Sequence, residues 1–304
     1  MNKLITLVAS FTMGLTINSQ AVTVVLDFND PDQAATERTT KFGDTVDTFN
    51  IVQYGFSNTT ENRLTITNSI LSAVKADYQF DLGSATGNAA LNGKRLDIDF
   101  VIGDAGMAPS NGDSDYYVIQ IGFGDGALGV ASFSSIRQAD GSAGIHSESV
   151  LGAGGVRYNA GDTMAIGSIV GSVYTSNIAG ILSSSDSGRL DRTTHAIAGT
   201  LSHEIGHALS LLHLDYGEDW TTANNRTPLM ASGSTGLPNF ERKFDRQFSL
   251  TGTDSEGNSI NHVQQLQTAL GVVDIAQVPE PSSSLLILSG LGFLAFSRRR
   301  SQIC

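Results

Sequence analysis

Residues 200–215 read TLSHEIGHALSLLHLD and hold three of the chain's 6 histidines. His203 and His207 are four residues apart, and Glu204 directly follows the first of them. Side chains at positions i and i+4 of a helix lie on the same face, one above the other. A helix across this stretch therefore makes the two imidazoles neighbours, with a carboxyl group beside them. The alternative is an amphipathic core helix that happens to be rich in histidine.

The helix that carries these histidines is predicted to begin at Asp191, whose side chain can cap it, and to end near Leu209 or Leu211. At roughly 100° per residue, apolar side chains recur on one face: Ile197, Leu201, Ile205, Ala208 and Leu212. The histidines lie on the roughly opposite face among small residues, namely Ala196, Gly199 and Thr200. We expect the first face to pack in the core and the second to form a floor for an ion and a substrate.

Two histidines at this spacing can both reach one Zn²⁺ at about 2 Å. A glutamate next to the first can take a proton from the metal-bound water and give it to the leaving amine. The zinc lowers the pKa of that water towards neutrality, and a site with three protein ligands keeps a fourth position open for it. The pattern thus predicts a catalytic zinc held by His203 and His207, with Glu204 as the general base.

His213 is the candidate third ligand. On an unbroken helix it would lie about 9 Å beyond His207 along the axis, so the helix has to break between them. The stretch resembles the metzincin pattern His-Glu-x-x-His-x-x-Gly-x-x-His, with Ser210 in the place of the glycine. The glycine of that pattern permits a left-handed turn. A serine can adopt this left-handed backbone conformation at a cost of about 1–2 kcal/mol.

A second feature of the metzincin resemblance is a methionine turn beneath the zinc. The segment TPLMASG places Met230 between Pro228 and Gly233, and the resemblance makes Met230 the apolar base under the histidines. Some metzincin branches have a tyrosine two residues after this methionine, where this chain has Ser232, so the astacin and serralysin branches fit less well. The resemblance implies a zinc-dependent endopeptidase that hydrolyses peptide bonds of a polypeptide substrate.

The remaining pattern of strands and helices predicts an α+β fold. The metzincin resemblance implies a metzincin-like catalytic domain with a twisted, mainly β upper subdomain, an active-site helix and a C-terminal helix. Alternating or β-branched runs predict strands at 23–28, 95–103, 115–124 and, more weakly, 129–136. Apolar spacing predicts helices at 65–78 and 260–271, and residues 162–174 fit a strand or a short helix. Since no composition break appears in residues 22–277, we predict one domain there.

Composition narrows the classes of partner. The formal net charge is −12, which argues against nucleic acid or an anionic membrane as a partner. The single cysteine, Cys304, excludes an internal disulfide, and a zinc site in the body of the chain must use histidines and carboxylates. Residues 1–21, with Lys3, an apolar run and a small residue at the end, predict a secretory signal peptide.

The C-terminal residues 278–304 combine a Pro-Glu-Pro motif, a short apolar segment and an arginine cluster. They resemble the PEP-CTERM sorting signal of Gram-negative bacteria. The resemblance implies export, transient anchoring in the inner membrane and processing by an exosortase-type enzyme, with an extracellular or cell-surface destination. A plain tail anchor is the alternative, although the apolar run from Leu285 to Phe296 is short for a span of roughly 20 residues.

Several alternatives stay open at the level of sequence. Asp215 could replace His213 as a ligand, and Glu241 could do so in a gluzincin-type arrangement. The Gly- and Asp-rich loop 103–115 is a weaker candidate for Ca²⁺, because oxygen ligands suit that ion. The rival to an enzyme is a non-catalytic matrix or adhesion protein of an exopolysaccharide layer, and a protease fold without activity lies between the two.

Overall fold

The computed structural model describes residues 22–28, 38–39, 45–46, 49–122, 124, 127–142, 144–146, 149–151, 157–158, 164–182, 188–214, 227–230, 246–250, 252–253 and 259–275. The chain divides into two compact units. The first comprises Met1–Phe80 and Leu96–Val272, and the second comprises Asp81–Arg95 and Val273–Cys304. The predicted boundaries after residues 21 and 277 lie outside the described residues and stay predictions.

Five α-helices lie in the described part of the chain: α1 (Thr60–Tyr78), α2 (Leu82–Thr86), α3 (Thr175–Ile181), α4 (Arg189–Ala208) and α5 (His262–Leu270). Its strands are β1 (Val22–Asp27), β2 (Arg38–Thr39), β3 (Thr45–Val46), β4 (Lys94–Leu96), β5 (Ile98–Ile102), β6 (Tyr116–Gly122), β7 (Gly129–Ala131), β8 (Val150–Leu151), β9 (Arg157–Tyr158), β10 (Ile169–Tyr174), β11 (Thr227–Pro228), β12 (Arg246–Gln247), β13 (Gly252–Thr253), β14 (Ser259–Ile260) and β15 (Val272–Asp274). Two 3₁₀ turns, Ile51–Tyr54 and Ala89–Leu91, complete the set.

A mixed sheet of 5 strands, in the order β5-β1-β6-β10-β7, forms the centre of the first unit. The strands β5, β1, β6 and β10 run parallel, and only β7, at one edge, is antiparallel to its neighbour. Parallel strands are usually covered on both faces and rich in β-branched residues. β1, which reads VTVVLD and is buried throughout, follows this rule.

Helices α1 and α4 pack against each other and against the sheet, α1 on β5 and α4 on β10 and β7. The face of α1 that carries Ile66, Ile70, Val74 and Tyr78 is buried. The Tyr78 hydroxyl donates a 2.7 Å hydrogen bond to the carbonyl oxygen of Ser202, in the turn of α4 just before the histidines. This bond fixes α4 against α1 and brings the histidine-bearing end of α4 beside the edge strand β7.

Most of the predicted strands and helices are present, with different boundaries. The predicted strand 95–103 is wrong as one element, because the chain breaks at Asp97, whose N–H donates to the carbonyl of Gly271 rather than to a neighbouring strand. The predicted helix 65–78 begins earlier, at Thr60, because the Thr59 side chain accepts a hydrogen bond from the N–H of Asn62. Residues 162–174 contain the strand β10, and the helix α3 after it was not predicted.

The predicted cap of the histidine helix is also wrong. Gly188, in left-handed backbone with φ of 77°, is the N-cap residue of α4, and no side chain caps the helix there. Asp191 lies in the first turn instead, where its negative charge is favourable next to the helix N-terminus. At the level of fold class, the described part of the chain is mixed α/β, with a mixed sheet and few helices.

Candidate metal centre

Helix α4 ends at Ala208, and the backbone reverses direction at Ser210, which has a φ of 78°. The N–H of Leu211 donates to the carbonyl of Gly206 at 2.8 Å, and the N–H of Ser210 donates to that of His207 at 2.9 Å. This pair of bonds is the Schellman motif, which normally has glycine at the left-handed position. The helix break that a third histidine ligand requires is therefore present, and it is built on a serine.

The turn brings His203, His207 and His213 together. Their Nε2 atoms are 3.0 Å apart between His203 and His207 and 3.1 Å apart in the other two pairs. Two nitrogens bound tetrahedrally at about 2.0 Å from a zinc ion lie roughly 3.3 Å apart. Among the described residues, these three histidines are the one group of His, Cys, Asp or Glu side chains with such convergent ligand atoms.

The other ring nitrogens explain why the Nε2 atoms can converge. The Nδ1 atom of His203 lies 2.8 Å from the carbonyl oxygen of Leu229, and Nδ1 of His207 lies 2.8 Å from that of Leu211. A carbonyl oxygen only accepts, so each Nδ1 carries the proton and donates it. In a neutral imidazole this leaves a lone pair on Nε2, which is the arrangement of metal-binding histidines.

The protonation of the triad agrees with this arrangement. Burial lowers the pKa of His207 to about 4. Burial, with the neighbouring His207 and His262, lowers the pKa of His213 to about 3. Both rings are therefore neutral at pH 7, and each has a lone pair that a metal ion can bind. Such a set of lone pairs fits a divalent cation that prefers nitrogen ligands, of which zinc is the common case.

Tyr158, on the short strand β9, is the functional neighbour that the sequence does not reveal. Its hydroxyl is hydrogen-bonded to Nδ1 of His213, and its ring contacts those of Phe133 and His207. With Nε2 of His213 turned towards the other histidines, Nδ1 is the donor and the tyrosine oxygen accepts. Tyr158 therefore supports the outer side of the third histidine, as carbonyl groups support the other two.

Replacing Tyr158 with phenylalanine is expected to lower zinc affinity about 10- to 100-fold, the range seen when an outer-shell partner of a ligand is removed. Competition with a chromogenic chelator measures this. Tyr54→Phe is the matched control, since the Tyr54 hydroxyl also makes a buried hydrogen bond, 2.6 Å to the carbonyl of Thr175. Equal zinc affinity of Tyr158→Phe and the control would contradict a supporting role.

Glu204, which directly follows His203 in α4, is buried, with 6% of its surface exposed. Burial raises the pKa of its carboxyl group to about 8. Strand β7 approaches it so closely that a Cβ atom on Gly129 would lie 2.7 Å from its Oε1 atom. The missing side chain at Gly129 thus leaves room for the carboxyl group between helix and edge strand.

Met230 packs against Gly206 of α4, and its role as a methionine turn stays a prediction. It is fully buried, and its sulfur fills the space where a side chain of Gly206 would be: a Cβ there would lie 2.5 Å from Sδ. Its carbonyl oxygen accepts a 3.2 Å hydrogen bond from the N–H of Leu214, next to the third histidine. Residues 229 and 230 therefore support both the first and the third imidazole.

Two further histidines, His195 and His262, are not members of the triad. His195 is half-exposed and donates from Nδ1 to the carbonyl of Asp191, while His262 is buried and donates from Nε2 to the carbonyl of Leu212. Asp215, Ser232 and Glu241 lie outside the described residues. The expected open floor is not found, because its small residues are buried: Ala196, Gly199 and Thr200.

The loop proposed for Ca²⁺ shows ordinary protein contacts. In residues 103–115, the Asp113 carboxylate accepts hydrogen bonds from the Thr23 hydroxyl and from the side-chain amide of Asn111, the latter at 2.8 Å. Binding of calcium by this loop stays a prediction.

Comparison with known proteins identifies the C-terminal segment. Residues 277–301 match the PEP-CTERM protein-sorting motif. The chain carries a PEP-CTERM sorting signal. This confirms the predicted signal, marks an exported protein sorted to the cell envelope, and implies recognition by an exosortase. No curated protein matches the chain. Among the described residues, no helix is long and apolar enough to cross a membrane.

Proposed function

We propose that the protein is a zinc-dependent endopeptidase of metzincin type. The observation that carries the proposal is the convergence of three imidazole Nε2 atoms within 3.0–3.1 Å, with the buried Glu204 directly following His203 in α4. A largely enclosed cluster of three histidines, with His207 buried and the other two half-buried, has no role in packing that apolar side chains would not perform better. Its combination with an adjacent carboxyl group suits hydrolysis.

In this proposal His203, His207 and His213 hold Zn²⁺. When bound, the ion polarises the peptide carbonyl and the attacking water and stabilises negative charge on oxygen. Glu204 accepts the proton of the attacking water at its carboxylate and passes it to the leaving nitrogen. Burial raises the pKa of this carboxyl group, which helps it to hold the transferred proton until the leaving nitrogen takes it.

The edge strand β7 supplies the place for a polypeptide substrate. It is the last strand of the sheet, and Gly129 at its start lies against Glu204. An extended peptide that pairs with the outer edge of β7, where the described sheet ends, would bring its backbone past the general base, and backbone pairing tolerates varied side chains. We further propose that the enzyme works outside the cell or at the surface of a Gram-negative bacterium, after transient anchoring of its C-terminal segment.

Zinc content and cleavage of unfolded casein by the purified protein test the proposal together. We expect one zinc per chain, cleavage within the chain of the substrate, loss of activity with 1,10-phenanthroline and its recovery with added Zn²⁺. Zinc binding without cleavage of a broad panel of polypeptides would favour the inactive protease fold. Absence of both would favour a matrix or adhesion role in the envelope, which the sorting signal also suits.

A further inference from the structure

Ser210 occupies a left-handed backbone position, with φ of 78°, in the turn between the second and third histidines. Residues other than glycine are uncommon there, because the Cβ atom crowds the backbone. The side chain is nevertheless buried, with 1% exposed. A strained residue that is also buried calls for a compensating contact.

The hydroxyl group makes that contact on two sides. Ser210 Oγ accepts a 3.0 Å hydrogen bond from the N–H of Ile145 and lies 2.8 Å from the hydroxyl oxygen of Ser134. The chain passes so close to this hydroxyl group at position 144 that only glycine, which has no side chain, fits there. A Cβ on Gly144 would lie 2.6 Å from Ser210 Oγ and 2.7 Å from the Cβ of Ser134.

The segment that the hydroxyl holds is the one that completes the end of α4. The N–H of Ser134 donates to the carbonyl of His207 at 3.1 Å, and the N–H of Ile136 donates to that of Ala208 at 3.0 Å. These carbonyl groups lie in the last turn of the helix, where no further turn follows to supply the usual N–H donors. Ser134, like Ser210, is in left-handed backbone, with φ of 56°.

We infer that Ser210 is a positioning residue of the metal centre, whose hydroxyl ties the turn between His207 and His213 to residues 134–136 and 144–145. The inference rests on the proposed zinc site. The serine is then a functional replacement for the glycine of the metzincin pattern. A glycine would relax the backbone but leave the N–H of Ile145 and the hydroxyl of Ser134 without this partner, and it would free the turn to move.

Ser210→Gly in the full-length protein tests whether the serine hydroxyl positions the metal centre or has no role in it. If the hydroxyl had no role, glycine would improve the turn, and zinc would bind equally well or more tightly. We expect zinc affinity to fall about 10-fold or more, similar to the loss of other outer-shell contacts. The measurement is competition for Zn²⁺ against a chelator of known affinity, at fixed pH.

Ser135→Ala is the matched control. Ser135 is fully buried in the same segment, and its hydroxyl has no hydrogen-bond partner among the described residues. It should bind zinc within about 2-fold of the wild type, since no support of a ligand is lost. A second variant, Ser134→Ala, removes the other hydroxyl of the pair. Because the two hydroxyls touch, the double variant should lose less affinity than the product of the two single losses.

Thermal unfolding of the metal-free proteins distinguishes positioning from general stability. A merely structural role would lower the unfolding temperature of metal-free Ser210→Gly and leave its zinc affinity unchanged, which would overturn the inference. The visible spectrum of the cobalt-substituted protein adds a direct probe, since it changes when a ligand is displaced. A wild type that binds no zinc would refute the proposed function, whereas wild type and Ser210→Gly binding zinc equally would refute only the role of Ser210.

Discussion

Replacing Glu204 with glutamine is expected to reduce peptide-bond cleavage by about 100- to 10,000-fold, the range over which general acid–base catalysis contributes. Glutamine has the shape of glutamate but cannot accept the proton of the attacking water. The carboxyl group of Glu204 is not among the three converging ligand atoms, so zinc should stay bound to the variant. Single-turnover cleavage of a fluorogenic peptide, with the zinc content of the same sample, measures both quantities.

Glu61→Gln provides the control for this change. Glu61 is exposed in the first turn of α1, and its replacement makes the same chemical change away from the triad. It should cleave at the wild-type rate. Retained activity in Glu204→Gln would rule out Glu204 as the base. Loss of zinc along with activity would show instead that the carboxyl group is needed to build the site.

The spacing of the candidate metal ligands was predictable because it is local. His203 and His207 share a helix face for the same geometric reason in any helix. The break before His213 followed only from taking His213 as the third ligand, since an unbroken helix would carry its ring away from the others. The structure supplies the reason that serine suffices there, and this reason is distant in sequence: its hydroxyl meets Ile145 and Ser134.

The outer contacts of the triad could not be predicted from the sequence. Tyr158 lies 55 positions before His213, and the carbonyl of Leu229 lies 26 positions after His203. No periodicity connects residues so far apart, and a backbone carbonyl leaves no mark in the sequence at all. The same limit explains the interrupted strand 95–103, where the alternation of apolar residues continues but Asp97 bonds to Gly271.

Replacing His213 with alanine is expected to lower zinc affinity by more than 100-fold and to abolish cleavage. Removing a ligand should exceed the 10- to 100-fold effect of losing an outer-shell partner. Bound zinc stabilises a protein by RT ln(1 + [Zn]/Kd), about 4 kcal/mol when zinc exceeds its Kd 1,000-fold. The unfolding temperature of the wild type should therefore rise on adding zinc, and that of His213→Ala should rise far less.

His195→Ala is the control, because His195 is half-exposed on α4 and bonded to Asp191 rather than turned to the triad. It should keep the zinc-dependent rise in unfolding temperature. A third variant, Asp215→Ala, decides between His213 and Asp215 as the third ligand. If Asp215→Ala loses zinc while His213→Ala keeps it, the convergence of the three Nε2 atoms is not the metal site. If only His213→Ala loses zinc, the turn at Ser210 is what completes the site, because it alone brings that ring to the other two.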